Sequence, residues 1–521
     1  MIFQSAIIYG SLTVANNSCN SNNENGIYLE GSVSSTIINN ICNDNDEVGI
    51  YLENSGSSTI NNNTCNNIRY GIYLRYSTNT ILANNTCTSN RYGIFLEGSG
   101  SSTITNNTCY SNDRTGIYLE YSFSSIMVNN TCSNNNRDGI FIYENSYSTI
   151  ASNTCNNNSR TGIYTWNSLS LVITNNTCNS HSNDGIFIYE CSFSTIANNT
   201  CNSNDGTGIY VHDSYPYSPG SLTITNNTCN SNNEYGIYLY FSGSSTITNN
   251  ICNSNGYYSI YLYSSGSSTI TNNTCNSNDY HGIYLEDSSS STITNNTCNN
   301  NDESGIYSYF SSSLNVTNNT CNSNNEYGIY LYRSSSSTAA NNTCNNNSGT
   351  AIYLYRSGSS TAANNTCDNN SGTGIYLEDS SSSIVANNTS NDNRYNGIYL
   401  YSSGYSTIIN NTCYSNERTG IYLFHSDYST VVNNTCNNNV EYGIFLYHSG
   451  SSTVVNNTCY DNGEDDITFW DPVIITTTTT HSSSRSKINS SSSSLISRIG
   501  LFLFVLSLLL VVLVLTKKSK R

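Results

Sequence analysis

The chain has 521 residues and a formal charge of −17, with 10% charged residues, 3 Pro, 2 Met and 2 Trp against 44 Tyr and 20 Cys. Tyr is far above ordinary usage and charge far below it. Strong helix formers are scarce beside Asn, Ser, Thr and Gly, which argues against a set of helical domains. The acidic balance argues against a nucleic-acid partner, because it repels a phosphate backbone.

From the N-terminus, one pattern recurs. Cysteines at 19, 42, 65, 87, 109, 132, 155, 178, 201, 229, 252, 275, 298, 321, 344, 367, 413, 436 and 459 are 22 or 23 residues apart, with two exceptions. The step from Cys201 to Cys229 holds an extra Tyr215–Gly220 segment, and the step from Cys367 to Cys413 is two periods with Ser390 in the empty slot. Such self-similarity is the signature of a repeat architecture, here about 20 units. Within one unit, Gly282-Ile283-Tyr284-Leu285-Glu286 alternates, Asp287 to Ser291 is turn material, Thr292 to Cys298 is a second extended run, and Asn299 to Ser304 returns to Gly305. Alternation between Asn, Ser and Gly breaks reads as strand–turn–strand–turn. Ordering each backbone residue costs roughly 1–2 kcal/mol, and each buried apolar side chain returns about 1.5–3 kcal/mol. A lone unit cannot fold on that balance, so the units must stack as an all-β parallel β-solenoid with like residues in columns.

The run Asn-Asn-Thr-Cys, polar turn, Gly-Ile-Tyr-Leu, Ser-rich turn and Ser-Thr-Ile resembles the NosD-type repeats. These are right-handed parallel β-helix repeats of the carbohydrate-binding and sugar-hydrolysis group within the pectin-lyase-like superfamily, and the likeness covers nearly all of residues 7–470. It implies right-handed winding, and the family name implies copper. It also implies what a catalytic relative would carry: an Arg or Lys base beside acid-bound calcium, or clustered Asp. No Lys occurs before residue 476, and Arg69, Arg91, Arg114, Arg137 and Arg160 read as isolated turn residues. Arg333, Arg356 and Asp379 read as an ion-pair ladder, Asp465-Asp466 as an end cap, and His281 lacks a partner outside the pattern. A catalytic site should appear as a departure from the repeat. None is evident, so a non-catalytic role is expected, with a polysaccharide lyase, epimerase or hydrolase, or a copper-related assembly protein, as alternatives.

Parity assigns the columns. With Glu286 outward, Tyr284 shares its side, while Ile283, Leu285 and Ile293 face the core. The first Asn of each Asn-Asn-Thr, such as Asn272 and Asn295, is expected to point inward or into a bend and to stack as an amide ladder. In that position a glycan has no room, although 17 of the 20 units carry the Asn-x-Ser/Thr sequence there. The cysteine column has three readings: small buried residues filling a corner, disulfides with poorly directed Cβ vectors, or a soft-metal thiolate chain. Ser390 fits the first. Asp44, Asp46, Glu47, Asp113, Asp138, Asp184, Asp205, Asp279, Asp302 and Glu303 gather before the glycines and read as a solvated edge, with weak calcium binding as the alternative; no resident cofactor or metal is expected.

Two aromatic columns supply the candidate binding face: Tyr238, Tyr261, Tyr307, Tyr330 and Tyr353, and, two residues on, Tyr240, Tyr263, Tyr309, Tyr332 and Tyr355. Stacked aromatics stabilise a sheet by themselves. A flat aromatic face also suits sugar rings or a protein partner, with Glu30, Glu53, Glu97, Glu120, Glu286 and Glu378 as hydroxyl acceptors.

The repeat domain is expected over 1–475, followed by a Ser/Thr-rich stalk over 476–498 that cannot form a core. Residues 499–516, apolar from Ile499 to Leu515, are long enough for a transmembrane helix. The basic tail 517–521 favours a cytoplasmic C-terminus and an extracellular repeat domain. Met1 opens partway through a coil without a signal-like segment, so upstream coding sequence is expected. The expected partners are the membrane and a glycan or surface protein.

Overall fold

The computed structural model describes residues 6–7, 10–213, 220–471 and 474–476. They form a parallel β-solenoid of about 20 coils in which each coil bonds only to the coils before and after it. The coil that starts at Gly282 shows how the sequence does this. Ile283–Glu286 forms the longer wall and pairs in parallel with Ile260–Tyr263 and Ile306–Tyr309. Thr292–Thr294 forms a second wall between Thr269–Thr271 and Asn315–Thr317. Thr297 forms a third by bridging Thr274 and Thr320. This third wall widens into full strands at Thr412–Tyr414, Thr435–Asn437 and Thr458–Tyr460. Identical residues therefore stack: Ile283 on Ile306, Tyr284 on Tyr307. Register survives the long step, with Ile209 paired to Ile237; residues 214–219 themselves lie outside the description.

Walls meet at corners made by residues in the left-handed region, here Asp287 (φ 49°), Ser290 (φ 59°), Asn295 (φ 57°) and Asn300 (φ 56°). Asn and Asp tolerate this conformation better than other non-glycine residues because their short polar side chains bond locally. That is the physical reason for the chain's polar bias. The corner at Asn295 also splits the run Thr292 to Cys298, which the sequence presents as one strand. A bend advances the side-chain phase by one residue, so Asn295 is exposed and Asn296 is 1% exposed. The inward amide column is thus the second Asn of each pair, and the sequon residue faces solvent. Exclusion of a glycan by burial does not hold.

The core follows the expected columns. Ile283, Leu285, Ile293 and Cys298 are fully buried, and their equivalents form one continuous apolar cluster. The polar ladders sit at its corners. Asn296 Nδ2 donates to Asn319 Oδ1 at 3.0 Å and to the Ile270 carbonyl at 2.9 Å. A second amide ladder runs through Asn301 and Asn324, and serine ladders run through Ser265, Ser288 and Ser311. These ladders pair most of the buried amides and hydroxyls coil to coil.

All 20 cysteines are free and buried. An on-column cysteine packs over the glycine that opens its own coil: a Cβ added at Gly282 would meet Cys298 Cβ at 2.9 Å and the Gly305 carbonyl at 2.6 Å. A small residue is needed there. Ser390 keeps its hydroxyl paired by donating to the Gly397 carbonyl at 2.7 Å. Burial pushes the thiols of Cys109, Cys132, Cys178 and Cys201 well above their ordinary range and keeps them neutral. Among the described residues no helix is long and apolar enough to cross a membrane; the segments 476–498, 499–516 and 517–521 lie outside them, apart from Thr476.

Candidate functional site

The longer wall carries the aromatic columns. Along the first, Tyr238–Tyr261 and Tyr330–Tyr353 stack at 4.6 and 4.8 Å between ring centroids, with Tyr307–Tyr330 at 4.9 Å. Along the second, Tyr240–Tyr263 stack at 5.0 Å, and Tyr309–Tyr332 and Tyr332–Tyr355 lie at 5.2 Å. The columns are joined sideways, Tyr238 to Tyr240 at 6.2 Å and Tyr353 to Tyr355 at 6.0 Å. All ten candidate tyrosines thus share one wall. The first column runs on through Tyr284, which stacks on Tyr261 and Tyr307 at 4.9 and 5.1 Å, whereas the second is interrupted where Glu286 takes the position between Tyr263 and Tyr309.

Rings of the first column are half-buried by their neighbours, and Tyr261 is 9% exposed, so the second column gives the more accessible edge. Several acidic residues expected to await a ligand are already engaged. Tyr261 Oη donates to Glu286 at 2.7 Å, Tyr28 Oη to Glu53 at 2.9 Å, and Tyr73 and Tyr353 donate to Glu97 and Glu378. Burial holds the phenols of Tyr238, Tyr307 and Tyr330 protonated, well above their usual range, and at Tyr261 and Tyr353 the adjacent carboxylates add to it. The wall therefore presents neutral aromatic faces and phenolic donors.

The second column is longer than its tyrosines suggest. Tyr143, Trp166, Tyr189 and His212 lead into Tyr240, and Tyr401, Phe424 and Tyr447 lead to Trp470. Both tryptophans of the chain stand in it, 40% and 69% exposed. Beside its C-terminal end is a shallow, open hollow of about 500 Å³ lined by His425, Asp427, His448, Gly450, Ser451 and Asp471. His425 stacks on His448 at 5.1 Å, and His448 Nδ1 lies 3.5 Å from Asp471 Oδ2. The sequence pattern hides this cluster, since each residue occupies an ordinary repeat slot. His281 is instead structural: its Nδ1 accepts the Ser304 N–H at 3.1 Å, its Nε2 lies 3.1 Å from Glu303, and burial pushes it down to about 3.

Arginines also differ from expectation. Arg69, Arg91, Arg114, Arg137 and Arg160 form one column, each two residues before the glycine of its coil. Backbone bonds tie the column together: Tyr92 N–H donates to the Arg69 carbonyl at 3.0 Å, Arg114 to Arg91 at 2.9 Å, and Arg137 to Arg114 and Arg160 to Arg137 at 3.0 Å. Arg356 pairs with Asp379 at 3.5 Å as expected, and Arg333 lies over Phe310 at 4.8 Å. Among the described residues the acidic turns bring together no metal-ligating group of three or more His, Cys, Asp or Glu.

A wall of stacked coils with an aromatic face defines a β-helix protein. A family model described as the right-handed β-helix region matches residues 5–128, 92–251, 216–344 and 327–485, and the chain belongs to that family. No curated protein matches the sequence. Solved structures similar to it include the A-module of the mannuronan C-5 epimerase AlgE6 of Azotobacter vinelandii, with 13% identity, 69% of this chain and 88% of that one covered, and a TM-score of 0.30. The catalytic domain of a GH87 alpha-1,3-glucanase matches at 14% identity over 60% of this chain and 63% of its own, with a TM-score of 0.34. The Dettilon tailspike protein matches at 14% identity over 67% and 62%, with a TM-score of 0.29.

Proposed function

We propose that this protein is a non-catalytic glycan-binding β-helix, held at the cell surface by residues 499–516 with its repeat domain outside. The observation that carries the reading is the double aromatic column from Tyr238 to Tyr355, extended by Trp166 and Trp470 at accessible positions. Sugar rings present C–H faces that pack on aromatic faces and hydroxyls that take phenolic donors. The surface location is supported by the apolar run, the stalk and the basic tail. A glycan array probed with the intact protein tests the binding. Tyr263→Ala with Tyr332→Ala should weaken the best hits about tenfold, and wild-type protein that binds no glycan would remove the reading. Fractionation with the membrane, and protease access to the repeats on intact cells, tests the location.

The His425/His448/Asp427/Asp471 hollow favours a second reading, in which the same wall delivers a polysaccharide to acid–base chemistry at its C-terminal end. Chain shortening or epimerisation that disappears with His448→Ala would establish it.

A further inference from the structure

The arginine column is the feature least explained by packing. Five cations at equivalent turn positions on successive coils repel one another. Arg69 and Arg160, at the ends, reach carboxylates: Glu47 at 3.0 Å and Asp138 at 3.9 Å. Arg91, Arg114 and Arg137 have no carboxylate within 4.0 Å among the described residues. Within the five turns that carry the arginines the acids are Asp113 and Asp138, so that strip is net positive, while Asp44, Asp46 and Glu47 flank one end and Asp184 the other, on a repeat domain that carries a large acidic excess. Half of that domain's ten arginines stand here.

Tyrosines lie against four of the five guanidinium groups, those of Arg69, Arg91, Arg114 and Arg160, without neutralising them. Arg91 and Arg114 lie 5.8 and 5.9 Å from the Tyr92 ring, and Arg114 Nη1 donates to Tyr92 Oη at 3.0 Å. Arg160 lies 5.1 Å from the Tyr164 ring, which belongs to the first aromatic column. Aromatic faces and guanidinium forks therefore adjoin along the same coils. With coils about 4.8 Å apart, the five groups form a strip roughly 19 Å long.

We infer that this strip is a binding site for a linear anionic polysaccharide, whose carboxylate or sulfate groups sit on Arg91, Arg114 and Arg137 while its rings lie along the neighbouring aromatic column. The ligand class rests on the glycan-binding reading above; the charge preference rests on the arginines alone. A guanidinium presents a planar fork of donors that pairs bidentately with such anions. A sugar unit in an extended chain advances by a length comparable to one coil, so one anionic group can meet each arginine. The acidic remainder of the surface repels the same polymer and confines it to the strip.

The test uses the full-length protein with three probes: polygalacturonate, dextran sulfate and neutral dextran. Wild type should bind at least one anionic polymer about tenfold more tightly than dextran, with affinity falling steeply as salt rises. The triple variant Arg91→Gln, Arg114→Gln, Arg137→Gln should lose that preference and most of the salt dependence while still melting cooperatively, so that the loss is not one of folding. The corresponding triple Lys variant should keep the salt dependence. Tighter binding of polygalacturonate than of dextran sulfate assigns carboxylate; the reverse assigns sulfate. Anionic binding unaltered in the Gln variant, or no preference over dextran, overturns the inference. Neutral-glycan binding that survives such a result leaves the aromatic wall standing, whereas loss of all glycan binding removes both.

Discussion

Replacing Asn296 by alanine tests how the coils are held together. Its Nδ2 donates to the Ile270 carbonyl at 2.9 Å and Asn319 Oδ1 at 3.0 Å, and its Oδ1 accepts the Asn273 N–H at 2.9 Å and Asn273 Nδ2 at 3.0 Å. After truncation Asn273 Nδ2 keeps the Ile247 carbonyl, and Asn319 Oδ1 keeps the Asn296 N–H. The Asn273 N–H keeps nothing. A buried orphan donor costs about 1–3 kcal/mol and each of the other lost bonds about 0.5–1.5 kcal/mol, for a total of roughly 3–7 kcal/mol. Asn295→Ala, one residue away, removes an exposed side chain from a left-handed corner (φ 57°) and should cost only about 1 kcal/mol. Coils contact only their neighbours, so the damage should stay local. Native-state hydrogen exchange reads it directly. Amide protection between Asn273 and Asn319 should fall more than about 100-fold in Asn296→Ala and stay unchanged around Asn130. Equal effects from the two substitutions, or a larger one from Asn295, would refute the phase shift at the corner.

Buried ionisable groups make the fold sensitive to pH. His181 occupies a slot of the second amide ladder, taking the Asn158 N–H on Nδ1 at 3.1 Å while its own backbone N–H donates to Asn204 Oδ1. Burial pushes it down from 6.5 to about 4, so its contribution is complete above the unfolded value and is lost as pH falls from 6.5 towards 4. His181→Asn should therefore stabilise the fold by about 1–3 kcal/mol at pH 7 and by more at pH 4.5, read from urea midpoints; a gain that shrinks with acid would contradict this. Asp138 moves oppositely: burial, against the pull of Arg160 and Arg137, raises it from 3.8 to about 6. The fold favours its protonated form, and that stability is lost as pH rises through about 6. Asp138→Asn should gain up to about 3 kcal/mol at pH 8 and little at pH 4. A thiol reagent should find no reactive cysteine in the native protein and all 20 after denaturation; rapid native labelling would show that the column is not closed.

The solenoid, its core and its register follow from cysteine spacing and two-residue alternation, because both are local and repeated. Alternation fails where the backbone leaves the extended region. Nothing in Asn-Asn-Thr-Cys marks Asn295 rather than Asn296 as the corner, so parity alone puts the inward ladder one residue early and leaves the third wall inside the second. The tyrosine columns are evident from sequence, but Trp166, His212, Phe424 and Trp470 are not, since attention to one residue type hides a column of mixed aromatics. Arginine spacing of 22, 23, 23 and 23 residues from Arg69 to Arg160 carries the same arithmetic as the cysteines. The His425–Asp471 hollow is different in kind. It appears only when His448 and Asp471, in ordinary repeat slots on adjacent coils, are seen side by side.

One consequence of identical coil-to-coil contacts concerns how such a molecule can change over generations. Excising a whole period, for instance from Asn299 to Cys321, would join two surfaces that already fit, whereas losing a single amino acid from a wall would put that wall's side chains out of phase; only a turn can absorb such a change, as the 22-residue coils do. Length is thus adjustable in fixed increments, like links in a chain. The platform can be lengthened or shortened to suit its target while each remaining increment keeps its own chemistry.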